Sequence, residues 1–179
     1  MKIGFVVGSL RKDSANRTLA KAASELVPDG TGVLIEGLDL PNYSEELESD
    51  VPAHAAEWRT TVDSLDGIVF VTPEYNALPS GSVKNAIDWA SRPYGEASLA
   101  GKPVAVLGAS ISPNGALWAQ EAVLKSVPIG GGVAFDRDPV PVGPAPEKLG
   151  QDGFADAELE GRVRDYLNAF VEQVEASAA

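Results

Sequence analysis

The sequence predicts a doubly wound α/β fold, and two patterns carry that prediction. Short apolar runs recur along the 179 residues without alternation of polar and apolar positions, as in strands buried on both faces of a parallel sheet. Between the runs, apolar residues recur every three or four positions, which is the spacing of an amphipathic helix. The predicted strands are residues 3–7, 33–35, 68–71, 104–107 and 133–135.

Segments with this helical spacing lie between predicted strands, and another follows the last strand. Alternating strands and helices imply right-handed crossovers, with helices on both faces of the sheet. Five strands predict the order 2-1-3-4-5, with a ligand crevice at the carboxyl ends of the first and third strands. We expect one domain over residues 1–179. Because residues 130–153 are rich in Gly and Pro, we expect a surface excursion without regular helix there.

The composition excludes several classes of function. Lys and Arg total 14 against 26 for Asp and Glu, so the net charge of -12 disfavours nucleic acid as a partner. With no cysteine, thiolate metal sites and cysteine nucleophiles are excluded. Since no apolar run approaches about 18 residues and residues 3–7 are too short for a signal peptide, we predict a cytoplasmic protein without membrane contact.

The turn after the first strand has the residue types of an anion site. It carries Ser9, Arg11, Ser14 and Asn16 immediately before and within a helix that begins near Ala15. A helix N-terminus offers unpaired N–H groups and a partial positive charge, to which the hydroxyls, the amide and the guanidinium add donors. This pattern favours a phosphate monoester. A plain helix cap beside a solvent-facing arginine is the alternative.

The turn after the third strand, residues 72–82, has the features of a wall for a flat ring. Pro73 and Pro79 stiffen it, Tyr75 supplies an aromatic face, and Asn76 supplies an amide that both donates and accepts. Such donors suit the edge of a heterocycle. An ordinary turn is the alternative, and we interpret Trp89 in the following helix as a core residue.

Other chemistry has little support in the sequence. The single histidine, His54, is interpreted as a surface residue, and without a Gly-x-Ser-x-Gly motif a serine hydrolase is disfavoured. The carboxylates at residues 45–50 lack the ligand pattern of a calcium loop and are interpreted as a solvated acidic loop. We therefore predict no metal site, and none of these residues is interpreted as catalytic.

The two turns together resemble the motifs of the NAD(P)H-dependent FMN reductase family, which includes quinone, chromate and azo-dye reductases. The resemblance extends from about residue 3 to residue 120. It rests on Gly8-Ser9-Leu10-Arg11 with Ser14 and Asn16, on Pro73-Glu74-Tyr75-Asn76, and on Gly81 with Lys84-Asn85-Ala86-Ile87-Asp88-Trp89. It implies a flavodoxin-like fold, non-covalent FMN, NADPH or NADH as co-substrate, and a homodimer or homotetramer.

The resemblance also implies roles for individual residues. The phosphate of FMN would be held by Ser9, Arg11, Ser14 and Asn16. The isoalloxazine ring would be bordered by Pro73, Glu74, Tyr75 and Asn76, with Ser110 on the remaining side. The chain departs from the family pattern where relatives carry a hydroxyl, a glycine and an arginine, and it has Ala109, Ala116 and Trp118 there. These departures make the predicted ring pocket more apolar and leave the phosphate turn intact.

The resemblance implies an FMN-dependent NAD(P)H oxidoreductase. Hydride would pass from the nicotinamide through FMN to a small acceptor: a quinone, an azo compound, a metal oxyanion or free flavin. The alternative is a flavodoxin-type electron carrier that does not itself oxidise NAD(P)H. The phosphate turn of such carriers resembles Thr-x-Thr-Gly-x-Thr, which does not occur in this sequence.

Overall fold

A computed structural model describes residues 1–178 and shows a mainly parallel sheet between two layers of helices. The sheet contains β1 (Ile3–Val7), β2 (Gly32–Ile35), β3 (Gly67–Val71), β6 (Pro103–Ala109), β7 (Val133–Ala134) and β8 (Pro141–Val142), and β4 (Glu74–Tyr75) and β5 (Leu78–Pro79) form a separate hairpin. The helices are α1 (Ala15–Ser24), α2 (Ala53–Asp63), α3 (Gly81–Ala90), α4 (Leu117–Ser126), α5 (Ala145–Lys148) and α6 (Ala157–Ser177), with 3-10 turns at Glu45–Glu48 and Val127–Gly130.

The sheet has the order β2-β1-β3-β6-β7, and every neighbouring pair is parallel. This is the predicted order 2-1-3-4-5, counted over the strands of the sheet in chain order. The fifth position is divided between two short strands. β7 pairs with the amino end of β6, whereas β8 pairs with Gly108 and Ala109 at its carboxyl end.

The two faces of the sheet bury separate halves of the core. Val69 and Val71 of β3 pack in the layer that contains α1 and α6, whereas Ile68 and Phe70 pack in the layer of α2, α3 and α4. Both kinds of position are apolar because each face is covered by helices. Trp89 is fully buried in the second layer, which confirms its interpretation as a core residue.

The prediction of burial on both faces is wrong for β2. Its side chains Val33 and Leu34 are 37% and 36% exposed, because β2 lies at the edge of the sheet with β1 as its only strand neighbour in the described chain. An apolar run in the sequence therefore does not by itself distinguish an edge strand from a central strand.

The prediction of a surface excursion at residues 130–153 is correct only in part. Much of the segment is exposed, and its only α-helix in the described chain is the single turn α5, but it also contains β8 in addition to the predicted strand β7, and Phe135, Val142 and Leu149 belong to the core. The ring of Phe135 lies edge-on to Tyr166, with the centroids 4.9 Å apart. Proline and glycine disfavour a long helix, but proline is compatible with a short strand at the edge of a sheet, such as β8.

The carboxyl ends of β1, β3 and β6 lie side by side at one edge of the sheet. The N–H of Gly8 donates to Val71 (2.8 Å), and the N–H of Thr72 donates to Leu107 (2.9 Å), so the pairing continues past the ends of the first two strands. Three loops therefore leave the sheet next to one another. Among residues 1–178, no helix combines the length and the apolar character that a bilayer crossing requires.

Candidate flavin site

A cavity of about 340 Å³ opens between these three loops. All the residues predicted to bind the cofactor line it, with the exception of Asn76. Its lining consists of Ser9, Arg11, Ser14, Ala15, Asn16, Pro73, Glu74, Tyr75, Ala109, Ser110, Ile111 and Ala145. Residues that are far apart in the sequence thus meet at the predicted crevice of the sheet.

The first loop presents backbone N–H groups at the start of α1. Ser14 caps the helix, and its hydroxyl accepts from the N–H of Asn16 at 3.2 Å. Within residues 1–178, no acceptor pairs with the N–H groups of Lys12, Asp13 and Ala15. Free donors at the positive end of a helix dipole are suited to binding an anion.

The side chains of this loop differ in burial. Ser9 and Ser14 are each 5% exposed, whereas Arg11 is exposed at the rim of the cavity. The hydroxyl of Ser9 has one contact, a long hydrogen bond of 3.4 Å from the N–H of Arg11. The first loop thus carries a buried hydroxyl and an exposed cation close to its free N–H groups in the sequence.

The amide of Asn16 is bound to the sheet. Its Nδ2 donates to the carbonyl of Ala109 at 2.9 Å, and its Oδ1 accepts from the N–H of Ala109 at 2.8 Å. This pair of bonds joins the first turn of α1 to the carboxyl end of β6. The side chain therefore holds the first loop against β6, a role that the sequence prediction did not include.

Gly8 allows the first and second loops to approach each other closely. Its carbonyl accepts from the hydroxyls of Ser80 (2.7 Å) and Ser82 (2.6 Å) at the start of α3. A Cβ at residue 8 would lie 2.3 Å from Cγ2 of Val83, so a side chain has no room there. Sequence reasoning missed both serines, although Ser80 stands at a helix N-cap position.

The second loop contains the β4–β5 hairpin, which explains why Asn76 is outside the cavity. Asn76 and Ala77 have φ values of 53° and 63° and form the tight turn of the hairpin. Asparagine tolerates the left-handed region better than most residues and therefore suits this turn. Because the turn is the tip of the hairpin, the amide of Asn76 is exposed there. The structure thus does not bring Asn76 to the cavity lining, contrary to the expectation from the motif.

Glu74 connects the second loop to α4. Its Oε2 accepts from the N–H of Ala119 at 3.1 Å, and its Oε1 accepts from Nδ2 of Asn114 at 3.3 Å. The N-cap residue of α4, Ala116, has a left-handed backbone and no side-chain oxygen to cap the helix. The carboxylate of Glu74 thus satisfies an N–H group at the start of α4.

The remaining walls of the cavity are formed by Pro73, Tyr75, Ser110 and Ile111. Pro73 is buried, whereas Tyr75 is 57% and Ile111 is 83% exposed at the open side. The cavity therefore has an end at α1 that is suited to an anion and a more apolar end between the second and third loops, where Pro73, Tyr75 and Ile111 lie. This division fits the phosphate and the ring of FMN.

Two further groups of residues lie outside the cavity. His54 is exposed, and its Nδ1 lies 3.0 Å from the carbonyl of Asp39. In the acidic segment, Glu48 is paired with Arg92 and accepts from the hydroxyl of Tyr43, and these two contacts lower the pKa of the Glu48 carboxyl. The described part of the chain contains no group of three or more side chains arranged to bind a metal.

Residues 1–145 match the family model described as NADPH-dependent FMN reductase. A quinone reductase of Pseudomonas putida is 37% identical over 96% of this chain and 91% of its own length. A 2-hydroxy-1,4-benzoquinone reductase of a Burkholderia species is 44% identical over 67% of this chain and 66% of its own length.

Solved structures agree with this assignment. FerB, a flavoenzyme NAD(P)H:(acceptor) oxidoreductase from Paracoccus denitrificans, superposes with a TM-score of 0.89 at 32% identity, covering 98% of both chains. Flavodoxin 2 from Bacillus cereus has a TM-score of 0.62 at 15% identity over 97% of this chain and 99% of its own, which shows the shared fold. The chain thus belongs to the NADPH-dependent FMN reductase family, whose enzymes use FMN with NADPH or NADH as co-substrate.

Proposed function

We propose that this protein is an FMN-dependent NAD(P)H oxidoreductase that reduces small quinones, with FMN held in the cavity between the three loops. One observation carries the proposal. The donors at the start of α1, which include Ser9, Arg11, Ser14 and the free N–H of Ala15, meet the walls formed by the second and third loops in one cavity of about 340 Å³. A flavin mononucleotide has the same two parts, an anion and a flat ring.

In this proposal the phosphate is bound by Ser9, Ser14, Arg11 and the backbone of the first loop. The hydroxyls and the N–H groups are neutral donors fixed by the fold, whereas the exposed guanidinium adds charge-assisted hydrogen bonds. Asn16 holds these donors at a constant distance from β6 through its bonds to Ala109.

The ring is bordered by Pro73, the backbone at Glu74, Tyr75 and Ser110. Bound FMN supplies the capacity to accept hydride from a nicotinamide and to deliver it to an acceptor. The residues of the chain position the ring and leave one side open, next to the exposed side chains of Tyr75 and Ile111. The nicotinamide and the acceptor use this open side in turn, so no catalytic side chain is required.

The acceptor class is proposed from the relatives. Two of them are named as quinone reductases, and one of these as a reductase of 2-hydroxy-1,4-benzoquinone. A small planar quinone suits an open side lined by Tyr75 and Ile111, because both side chains offer apolar contact area.

We further propose a cytoplasmic, single-domain protein that forms a homodimer or homotetramer. The support for self-association is a group of exposed apolar side chains beside the cavity. Leu78 and Trp118 are 59% and 55% exposed, and the elements that carry them, β5 and α4, are in contact. Exposed large apolar side chains on neighbouring elements are typical of protein interfaces.

The function is tested by a flavin titration and a turnover assay. The purified protein is stripped of flavin, titrated with FMN, and assayed for NADH and NADPH oxidation with 1,4-benzoquinone as acceptor. We expect a yellow protein with saturable quinone-dependent oxidation. If FMN binds but quinone-dependent oxidation stays at the rate of free FMN, the protein is an electron carrier. If no flavin binds, the proposal is wrong.

Arg11→Ala tests the predicted position of the phosphate. We expect FMN affinity to fall at least about tenfold, the usual loss of one charge-assisted hydrogen bond, while riboflavin affinity is little changed. Arg162→Ala removes an exposed cation on α6 and serves as the matched control. An equal loss of FMN and riboflavin affinity in Arg11→Ala would contradict the assignment.

A further inference from the structure

The third loop, residues 110–116, is held against the chain from β8 to α5 by main-chain hydrogen bonds. The N–H of Ser110 donates to the carbonyl of Val142 (3.1 Å), and the N–H of Val142 donates to the carbonyl of Gly115 (3.2 Å). The N–H of Ala145, at the start of α5, donates to the carbonyl of Ser110 (2.8 Å). Both ends of the third loop are therefore bound to this segment.

Two glycines allow the third loop and the segment to meet backbone to backbone. A Cβ at Gly143 would lie 2.2 Å from the carbonyl oxygen of Ser112. Gly115 has a φ value of 60°, and a Cβ there would lie 2.5 Å from the nitrogen of Val142. A side chain at either glycine would therefore push the loop and the segment apart.

Gln120 of α4 binds the same loop. Its side chain is fully buried, and its Nε2 donates to the carbonyl of Gly115 at 3.1 Å. Its Oε1 is buried as well, and no donor within residues 1–178 lies within hydrogen-bond distance of it. A buried acceptor without a partner disfavours the folded state. An apolar side chain of the same length would remove that cost, and the carbonyl of Gly115 would keep its bond from Val142.

The third loop connects these residues to the flavin cavity. Ser110 and Ile111 line the cavity, as does Ala145, which is bonded to Ser110. Gln120 and Gly143 lie outside the lining. Any effect of these two residues on a bound flavin must therefore pass through the loop and the segment that holds it.

We propose that Gln120 and Gly143 are positioning residues for the ring end of the flavin cavity, which is the part between the second and third loops. Through their contacts with Gly115 and Ser112, they set the position of Ser110 and thus the space for the ring. The proposal rests on the proposed function, since it requires the isoalloxazine ring to lie there. The two residues then affect binding of the ring and leave binding of the phosphate unchanged.

The test compares FMN with riboflavin, which has the same ring and no phosphate. The variants are Gln120→Met, which keeps the length of the side chain and removes the donor, and Gly143→Ala. The matched controls are Gln173→Met on α6 and Gly150→Ala, where the added Cβ meets its nearest neighbour at 3.8 Å. Each protein is stripped of flavin, titrated with both ligands by flavin fluorescence, and unfolded with urea in the absence of flavin.

We expect both variants to bind FMN and riboflavin about tenfold more weakly, with the same factor for the two ligands, because the ring loses contact with the third loop. Arg11→Ala differs, because it should weaken binding of FMN alone. The urea midpoint of Gln120→Met should not lie below that of the wild type, since the variant no longer buries an unpaired carbonyl. The control variants should bind both flavins as the wild type does.

Visible circular dichroism of the bound flavin reports on the ring directly. The isoalloxazine ring is achiral, so its signal arises from its surroundings. At saturating FMN, the spectrum of Gln120→Met should differ from that of the wild type, whereas the spectrum of Arg11→Ala should match it.

Several results would overturn the proposal. They are wild-type affinity for riboflavin in Gln120→Met, a loss for FMN alone, an unchanged circular dichroism spectrum, or a lower urea midpoint, which would show that the fold itself needs the amide. If Gly143→Ala does not fold, Gln120→Met alone decides the outcome. A wild-type protein that binds no flavin would instead refute the proposed function.

Discussion

Asn16→Ala tests the inference that this side chain holds the phosphate loop. The amide makes two hydrogen bonds with the backbone of Ala109, of 2.9 and 2.8 Å, and Asn16 is only 3% exposed. Alanine leaves the N–H and the carbonyl of Ala109 without these partners in a nearly buried place. Each unsatisfied buried group costs about 1–3 kcal/mol, and two groups are affected, so we expect the free energy of unfolding to fall by roughly 2–6 kcal/mol.

The measurement is urea unfolding of the flavin-free protein, followed by tryptophan fluorescence. Asn16→Asp is the intermediate case, because its carboxylate still accepts from the N–H of Ala109 but cannot donate to the carbonyl. Asn168→Ala removes an exposed asparagine from α6 and should change stability by less than about 0.5 kcal/mol.

The outcome separates two roles for Asn16. A large loss of stability in the flavin-free protein supports the loop-holding role. If Asn16→Ala unfolds like the wild type in the absence of flavin but loses FMN affinity, the amide acts on the ligand, and the loop-holding inference is refuted.

Three other perturbations have defined outcomes. Glu74→Gln weakens the cap of α4, so the free energy of unfolding should fall by about 1 kcal/mol; unchanged stability would contradict the capping role. Gly8→Ala forces a Cβ to 2.3 Å from Val83 and should destabilise the protein by about 1–3 kcal/mol, with Gly161→Ala, where the added Cβ meets no neighbour, as the control. Burial raises the pKa of Tyr166 to about 12, above the value of about 10 in the unfolded chain. The folded state thus disfavours the phenolate, so the contribution of Tyr166 to stability should be constant below pH 10 and be lost between pH 10 and 12; Tyr166→Phe should reduce the loss of stability over that range, and an unchanged slope would point to another group.

The architecture was accessible from the sequence because periodicity reports directly on burial. The unbroken apolar runs of β1, β3 and β6 occur where helices cover both faces of the sheet, and these strands are fully buried. β2 has a similar run but lies at the edge, and the number of strand neighbours is a property of the tertiary structure. The core residues within 130–153, such as Phe135 and Val142, were missed because Gly and Pro content indicates only that a long helix cannot form there.

The sequence predicted which residues line the cavity more completely than it predicted the contacts that those residues make. Ser9 and Ser14 occupy a turn whose chemistry is local, so residue type and position were sufficient to place them at the cavity. The partner of Asn16 is a backbone group 93 residues away, which no side-chain pattern can identify. Asn76 belongs to the recognised motif, yet the positive φ of the hairpin turn takes it outside the cavity.

A crystal structure of the protein with bound FMN is the most direct test of the site. We expect the phosphate to accept hydrogen bonds from the N–H groups at the start of α1 and from Ser9 and Ser14, with the ring between Pro73–Tyr75 and Ser110. A flavin whose phosphate lies away from the first loop, or whose ring lies outside the cavity between the three loops, would contradict the account.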